Sequence, residues 1–345
     1  MRYDKIPIQN IYYLLAYAWN YFRSGELVDV DQIRCPDAHN LLAMLLTNAV
    51  RKLATKGMDK GYIGFTEETP RIRGRVQILQ SYRRLTKQSG RMICEFDELT
   101  ADTLPNQIIK STCTRLLQHA AQLTKQNLAA VHSASHLLHD IRQIPLTSRD
   151  FSRVQLHRNN RHYRLLLHVC QMLHENYLPE ESSGVRKFRN VLENETVMHR
   201  VFESFVRHFA TRHCPDAKVS AMAIAWNGHW SEEVAAYIPI MKTDVTIVRS
   251  THKIILDCKY YRDALTSGKY GPKMHSSHLY QLVAYLQNKC RHPGWHDVIG
   301  KLLYPSVNHP VSAKFELLGH RVEVQSIDLN QEWERIHDDL LKIVS

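Results

Sequence analysis

Two short apolar runs joined by four polar residues constrain this chain more than anything else in it. One spans Asp244 to Val248 and the other Lys253 to Lys259, with Arg249, Ser250, Thr251 and His252 between them. That connection has hairpin length, and the β-branched residues on both sides favour strands. If Val248 faces Lys253, the register sets Asp244 directly opposite Asp257. Directly opposed residues share a face, with Cβ atoms about 4.5–5.5 Å apart. Lys259 lies two positions beyond Asp257, so the strand period of two returns it to that face.

An otherwise apolar hairpin therefore carries two carboxylates and an ammonium group at one end. Carboxylates that close repel each other unless a cation lies between them. Hard oxygen ligands suit Mg2+, which takes one or two carboxylates together with waters and phosphate oxygens. Such an ion lowers the pKa of a bound water and stabilises charge growing on a phosphate. Lys259 would orient or help deprotonate that water and offset charge in the transition state.

The rest of the chain gives this hairpin a frame. At 345 residues the chain is long enough for about two domains, and 44% hydrophobic residues suffice for real cores. The polar, turn-prone stretch 179–184 is the best linker, so residues 1–180 and 181–345 are expected to form separate domains. In the first part, helical spacing runs from Asn10 to Phe22, from Leu41 to Leu53 after Pro36 and Asp37, from Asn106 to about His139, and from His162 to Tyr177. Strand-like pieces around Arg73-Gly74-Arg75 and from Ile93 to Phe96 interrupt it. In the second part, a helix from Glu193 to Arg212 precedes strand-like runs at Val234–Ile240, Asp244–Val248 and Lys253–Lys259. A helix from Ser277 to Asn288, a strand from Lys301 to Tyr304, a strand-like run from Phe315 to Val324 and a closing helix from Asn330 to Ile343 follow. The expected class is α/β (α+β overall): a mostly helical N-terminal domain with a small β portion, then a mixed sheet flanked by helices.

A net charge of +11 favours polyanionic partners. Seven scattered cysteines without a CxxC pair argue against a disulfide framework and a cysteine zinc site, and fit a reducing cytoplasm. His132, His136 and His139 share a helix face, but no further ligand completes a metal site in sequence. The apolar stretch Ile11 to Trp19 is too short to span a membrane, and no membrane partner is expected. No G-x-x-x-x-G-K-[ST] phosphate loop is present, so a nucleotide-driven step would come from another chain.

Thr243-Asp244 followed by Asp257-Cys258-Lys259 resembles the PD-(D/E)xK nuclease superfamily, with Thr243 where that pattern has proline. The resemblance implies a restriction-endonuclease-like fold with Asp244, Asp257 and the backbone carbonyl of Cys258 as metal ligands and Lys259 as the catalytic amine. Glu203, in a helix segment similar to the superfamily's acidic helix, is the further ligand implied, with Glu193 and Glu195 as competitors. Gln281 and Tyr285 resemble a Q-x-x-x-Y motif. Four residues apart, they share a helix face and could bind a DNA phosphate or brace Lys259. Lys269, Tyr270, Lys273 and His275 precede them as a plausible backbone clamp.

The segment from Ile6 to Trp19, the run Arg73 to Val76, and Glu95 to Leu99 with Asp102 and Asn106 are similar to the McrC family. His278 departs from the acidic residue expected there. This resemblance implies a Mg2+-dependent endonuclease subunit that cuts DNA containing modified cytosine, leaves 5′-phosphate ends, and stimulates a McrB-like AAA+ GTPase ring that binds the GTP. The N-terminal domain would dock that ring. A non-catalytic activator with a nuclease-like fold and a stand-alone Q-x-x-x-Y exonuclease are the rival readings.

Overall fold

The computed structural model describes residues 5–20, 30, 33–84, 90–179, 186–188, 191–261, 265–268, 271–307 and 310–345. The linker candidate at 179–184 lies almost wholly outside the described residues, as do Phe22, Lys269 and Tyr270. The chain clusters into two units, one of residues 1–41 with 188–345 and one of residues 42–187. The second junction of this division falls between Lys187 and Phe188, where a boundary near 180 was expected. The first 41 residues, however, belong with the second half and not with the N-terminal domain.

The reason lies in helix α1 (Ile8–Ala18), every residue of which from Asn10 onward is buried. A helix apolar on all sides must be enclosed by other elements. The Asn10 amide donates to the carbonyls of Leu329 and Gln331, at 2.9 and 2.7 Å. Tyr13 and Tyr17 pack edge-on against Phe205, and Tyr13 also meets Trp333. Thus the N-terminal helix is part of the core behind the C-terminal sheet.

Residues 42–187 contain most of α2 (Ala38–Lys56), a three-stranded sheet and a helical group. Asp37 starts α2 by accepting from the Asn40 backbone N–H at 2.8 Å, as a helix N-cap does. The sheet order is β1 (Gly61–Thr69), β3 (Met92–Thr100), β2 (Arg75–Val76), with the short α3 (Ile78–Arg83) between β2 and β3. Gly74 sits at φ +63°, and a Cβ there would lie 2.2 Å from the Glu95 carbonyl oxygen, which explains the glycine between two arginines. The expected helical stretch from Asn106 to His139 is two helices, α4 (Leu104–Gln118) and α5 (Lys125–Leu137). Then come α6 (Ser148–Arg153), α7 (Tyr163–Asn176), β4 (Tyr177–Pro179) and β5 (Arg186–Phe188).

The other unit resumes with α8 (Glu195–His213), which Asn194 caps by accepting from the Val197 N–H. Val197, Val201, Phe202, Phe205 and Phe209 form its buried stripe. Next are β6 (Lys218–Ser220), β7 (Ala223–Ile224), α9 (Glu232–Ala235), β8 (Met241–Lys242), β9 (Val245–Val248), β10 (Lys253–Cys258), β11 (Leu265–Gly268) and β12 (Gly271–Met274). Helix α10 (Ser276–Lys289), β13 (Val298–Ser306), β14 (Ser312–Leu317), β15 (His320–Asp328) and α11 (Trp333–Val344) complete it. Six strands form one mixed sheet in the order β14-β15-β13-β10-β9-β6. Strand β10 runs parallel to β13 and antiparallel to β9, so α10 is the crossover.

Two sequence expectations fail here. No strand forms over Val234–Ile240: the segment is the end of α9 and a turn, with Tyr237 and Ile240 exposed. The strand that pairs antiparallel with β9 on its other side is instead β6. Phe315–Val324 is likewise a hairpin and not one strand, because Leu318 and Gly319 both take positive φ and reverse the chain.

Candidate active site

The β9–β10 ladder has the expected register, Lys253 opposite Val248 through Leu256 opposite Val245. It ends one pair short of Asp244 and Asp257. Asp244 lies in a bend, and its carboxylate takes over the ladder's role by accepting from the Cys258 backbone N–H at 2.8 Å. Strand alternation then sorts β10. Ile255, Asp257 and the following Lys259 face α10, where Ile255 packs with Leu282, Tyr285 and Leu286. Cys258 points the other way, fully buried, and burial with the surrounding carboxylates holds its thiol far above the usual range.

Asp257 is wholly buried, and Lys259 is 6% exposed. The Lys259 Nζ lies 2.7 Å from Asp257 Oδ2, an ion-pair contact without the alignment of a hydrogen bond. Among the described residues, neither Asp257 oxygen has an aligned hydrogen-bond donor besides this Lys259 contact. Instead Lys259 donates to Gln281 Oε1 at 2.8 Å, the Gln281 amide donates to the Tyr285 hydroxyl at 2.6 Å, and that hydroxyl donates to the Lys242 carbonyl at 2.9 Å. Of the two roles open to Gln281 and Tyr285, this geometry is the bracing of Lys259. Tyr285 is buried with its hydroxyl committed, so it does not present itself to a DNA phosphate.

On α8, Glu203 and Arg207 stand one turn apart and form an ion pair at 2.6 Å. The same guanidinium donates to the Asp244 carbonyl at 3.0 Å, tying the helix to the bend. Glu203 acts electrostatically on both Asp244 and Asp257. Its competitors Glu193 and Glu195 are exposed. Arg207 was not singled out in the sequence, although its i,i+4 spacing from Glu203 was a usable signal. Lys273 is exposed at the end of the β11–β12 hairpin. His278 is buried, bonded through Nδ1 to the Tyr304 hydroxyl at 2.8 Å, and held neutral at a pKa of about 4 by burial and then by Lys259.

The carboxylates register the strain of this crowding. Burial, then the Asp244 charge, raises the Asp257 carboxyl to about 7 against the pull of Lys259. Burial raises Asp244 as well, and the Cys258 N–H opposes it. Two buried, mutually repelling carboxylates, one without aligned donors, fit a hard divalent cation held by Asp244, Asp257 and the Cys258 carbonyl. Among the described residues no three His, Cys, Asp or Glu side chains gather into a ready metal set. Glu203 directs its Oε1 to Arg207. Two carboxylates match the ligand count of Mg2+, which keeps several waters.

The McrBC 5-methylcytosine restriction system component family matches residues 9–305. The chain is 30% identical over 344 residues to an Escherichia coli (strain K12) protein described as "Type IV methyl-directed restriction enzyme EcoKMcrBC", covering 99% of this chain and 98% of that one. It is similar in fold, at a TM-score of 0.54 and 17% identity, to a half-complex from a tetradecameric assembly of Thermococcus gammatolerans McrB AAA+ hexamers with bound McrC. That likeness covers 98% of this chain and 76% of the other.

Proposed function

This chain belongs to the McrBC 5-methylcytosine restriction system component family, and from that premise we propose that it is the subunit that cuts DNA, by Mg2+-dependent hydrolysis of phosphodiester bonds. The observation that carries this reading is the convergence of Asp244, Asp257 and Lys259 at the end of one hairpin. Asp244 and Asp257, with the Cys258 carbonyl, are the groups that would hold the ion. When bound, Mg2+ activates water and neutralises charge on the phosphate. Lys259, fixed by Gln281, presents its ammonium where a water or a phosphate oxygen would sit and can hold or release a proton there. Glu203 adds negative potential beside the carboxylates, and Arg207 sets the bend that aims Asp244.

The named relative is a methyl-directed restriction enzyme, and the matched fold was solved bound to McrB AAA+ hexamers. By the same reading this chain works with a McrB-like AAA+ GTPase, which binds the GTP, on double-stranded DNA with modified cytosine. Asp257→Ala and Lys259→Ala test the assignment. Each should abolish cleavage by the reconstituted complex and leave stimulation of partner GTP hydrolysis nearly intact. Cleavage surviving both changes would sink it.

A further inference from the structure

Residues 142–164 hold six arginines (142, 149, 153, 158, 161 and 164), two histidines and a single acid, Asp150. All six arginines, His157 and His162 are exposed. Asp150 is already engaged: its carboxylate accepts from the Thr147 N–H and hydroxyl, both at 2.8 Å, and pairs loosely with Arg153 at 3.7 Å.

The backbone beneath these charges is firmly held. Asn160 is buried, accepts from the His157 N–H at 2.7 Å and donates to Asp59 at 2.9 Å. Tyr163 is fully buried, donates to Asn106 Oδ1 at 2.7 Å and accepts from the Asp59 N–H at 2.8 Å. These anchors fix the turn on which Arg158, Arg161, His162 and Arg164 project. The arrangement also runs against helix electrostatics. The first turn of α7 contains no acid, and Arg161 and Arg164 sit at the helix end where cations are unfavourable. Among the described residues neither arginine is paired with an acid, and a local rule broken in this way is expected at functional sites.

Two surfaces of this unit differ in chemistry. The β1–β3 region exposes Tyr62, Ile72, Ile78, Leu79, Tyr82 and Leu99, apolar anchors of the sort protein interfaces use. Between residues 142 and 164 no large hydrophobic side chain is exposed. A surface of guanidinium groups without apolar anchors fits a phosphate backbone better than a protein.

We propose that the arginine surface from Arg149 to Arg164 binds the sugar–phosphate backbone of duplex DNA, independently of sequence. The choice of DNA among polyanions rests on the proposed function, and the surface itself lies outside the metal site. The test uses the full-length chain in EDTA, so that cleavage plays no part and the two proposals fail separately. A fluorescent 30-bp duplex lacking modified cytosine is titrated at several salt concentrations. Each phosphate contact contributes about 0.9 to the slope of log K against log salt. Arg158→Ala/Arg161→Ala/Arg164→Ala, with an unchanged thermal midpoint, should flatten that slope by about 2–3 and weaken binding at least tenfold near 0.1 M salt. The matching triple lysine variant should keep most of both. Unchanged affinity and slope in the alanine variant would overturn the proposal, as would a lysine variant as weak as the alanine one. Retained DNA binding with lost co-purification of the AAA+ partner would overturn it too, in favour of a protein-docking surface.

Discussion

The Cys258 backbone N–H donates to the Asp244 carboxylate at 2.8 Å, one step beyond the last β9–β10 pair. A side chain thus closes the ladder where the backbone leaves it. Asp244 is thereby fixed relative to the strand carrying Asp257, and one of its oxygens is oriented by a backbone donor. The two carboxylates are thus positioned by the chain itself, at a cost in burial and then in mutual repulsion that the raised Asp257 carboxyl registers.

The burial of Asp257, with the Asp244 charge beside it, sets a pH dependence of stability in the metal-free protein. The folded-state value of Asp257, about 7, lies above the unfolded carboxylate range, so the folded chain binds more protons across the interval between them. Stability therefore falls as pH rises from about 4 to 7 and levels off above. At about 1.4 kcal/mol per pKa unit, the ceiling is on the order of 4 kcal/mol. Thermal melts in EDTA should show wild type losing stability between pH 5 and 8, with a shallower slope for Asp257→Asn. Equal slopes would show that Asp257 is not the group responsible.

The Lys259–Gln281–Tyr285 chain predicts an ordering of defects. Gln281→Ala removes the acceptor of a charged donor, worth about 1.5–3 kcal/mol, or roughly 10–100-fold in single-turnover cleavage. Tyr285→Phe removes two neutral bonds, to Gln281 and Lys242, of about 1 kcal/mol each, but leaves the Gln281 acceptor of Lys259 in place and should cost less than Gln281→Ala. Metal affinity should stay within about twofold in both. A larger defect for Tyr285→Phe than for Gln281→Ala would contradict the direction of this chain.

Arg207 acts on the site through Asp244 and Glu203. Its removal leaves unanswered the Glu203 charge that raises both Asp244 and Asp257, so Arg207→Ala should weaken Mn2+ binding more at pH 6.5 than at pH 8. Arg207→Lys should recover part of the loss. A defect independent of pH would reduce Arg207 to a packing role.

Gly74→Ala should destabilise the β1–β3–β2 sheet by at least about 1–2 kcal/mol from the left-handed backbone alone, before the contact with Glu95 is counted. Hydrogen exchange across Met92–Thr100 reads this directly. Unchanged protection there would mean the turn relaxes freely.

The hairpin was legible because loop length and two apolar runs leave one sensible register, and register fixes which charges meet. The buried stripe of α8 was legible from its 3.6-residue period for the same reason. The Val234–Ile240 segment misled because apolar content alone does not separate a strand from an exposed turn, and the true edge strand, Lys218–Ser220, is too short to announce itself. The placement of α1 was missed although its lack of a polar face pointed to burial. Spacing could have pointed to the Glu203–Arg207 pair, but not to the bond from Arg207 to the Asp244 carbonyl, 37 residues away and formed only in the folded chain.

Calorimetric titration of Mn2+ into the full-length protein, with Asp244→Asn and Asp257→Asn alongside, is the most direct measurement of the central claim. Wild type should show saturable binding that weakens at least tenfold in each variant while the fold is kept. Binding of equal strength in all three proteins would contradict it.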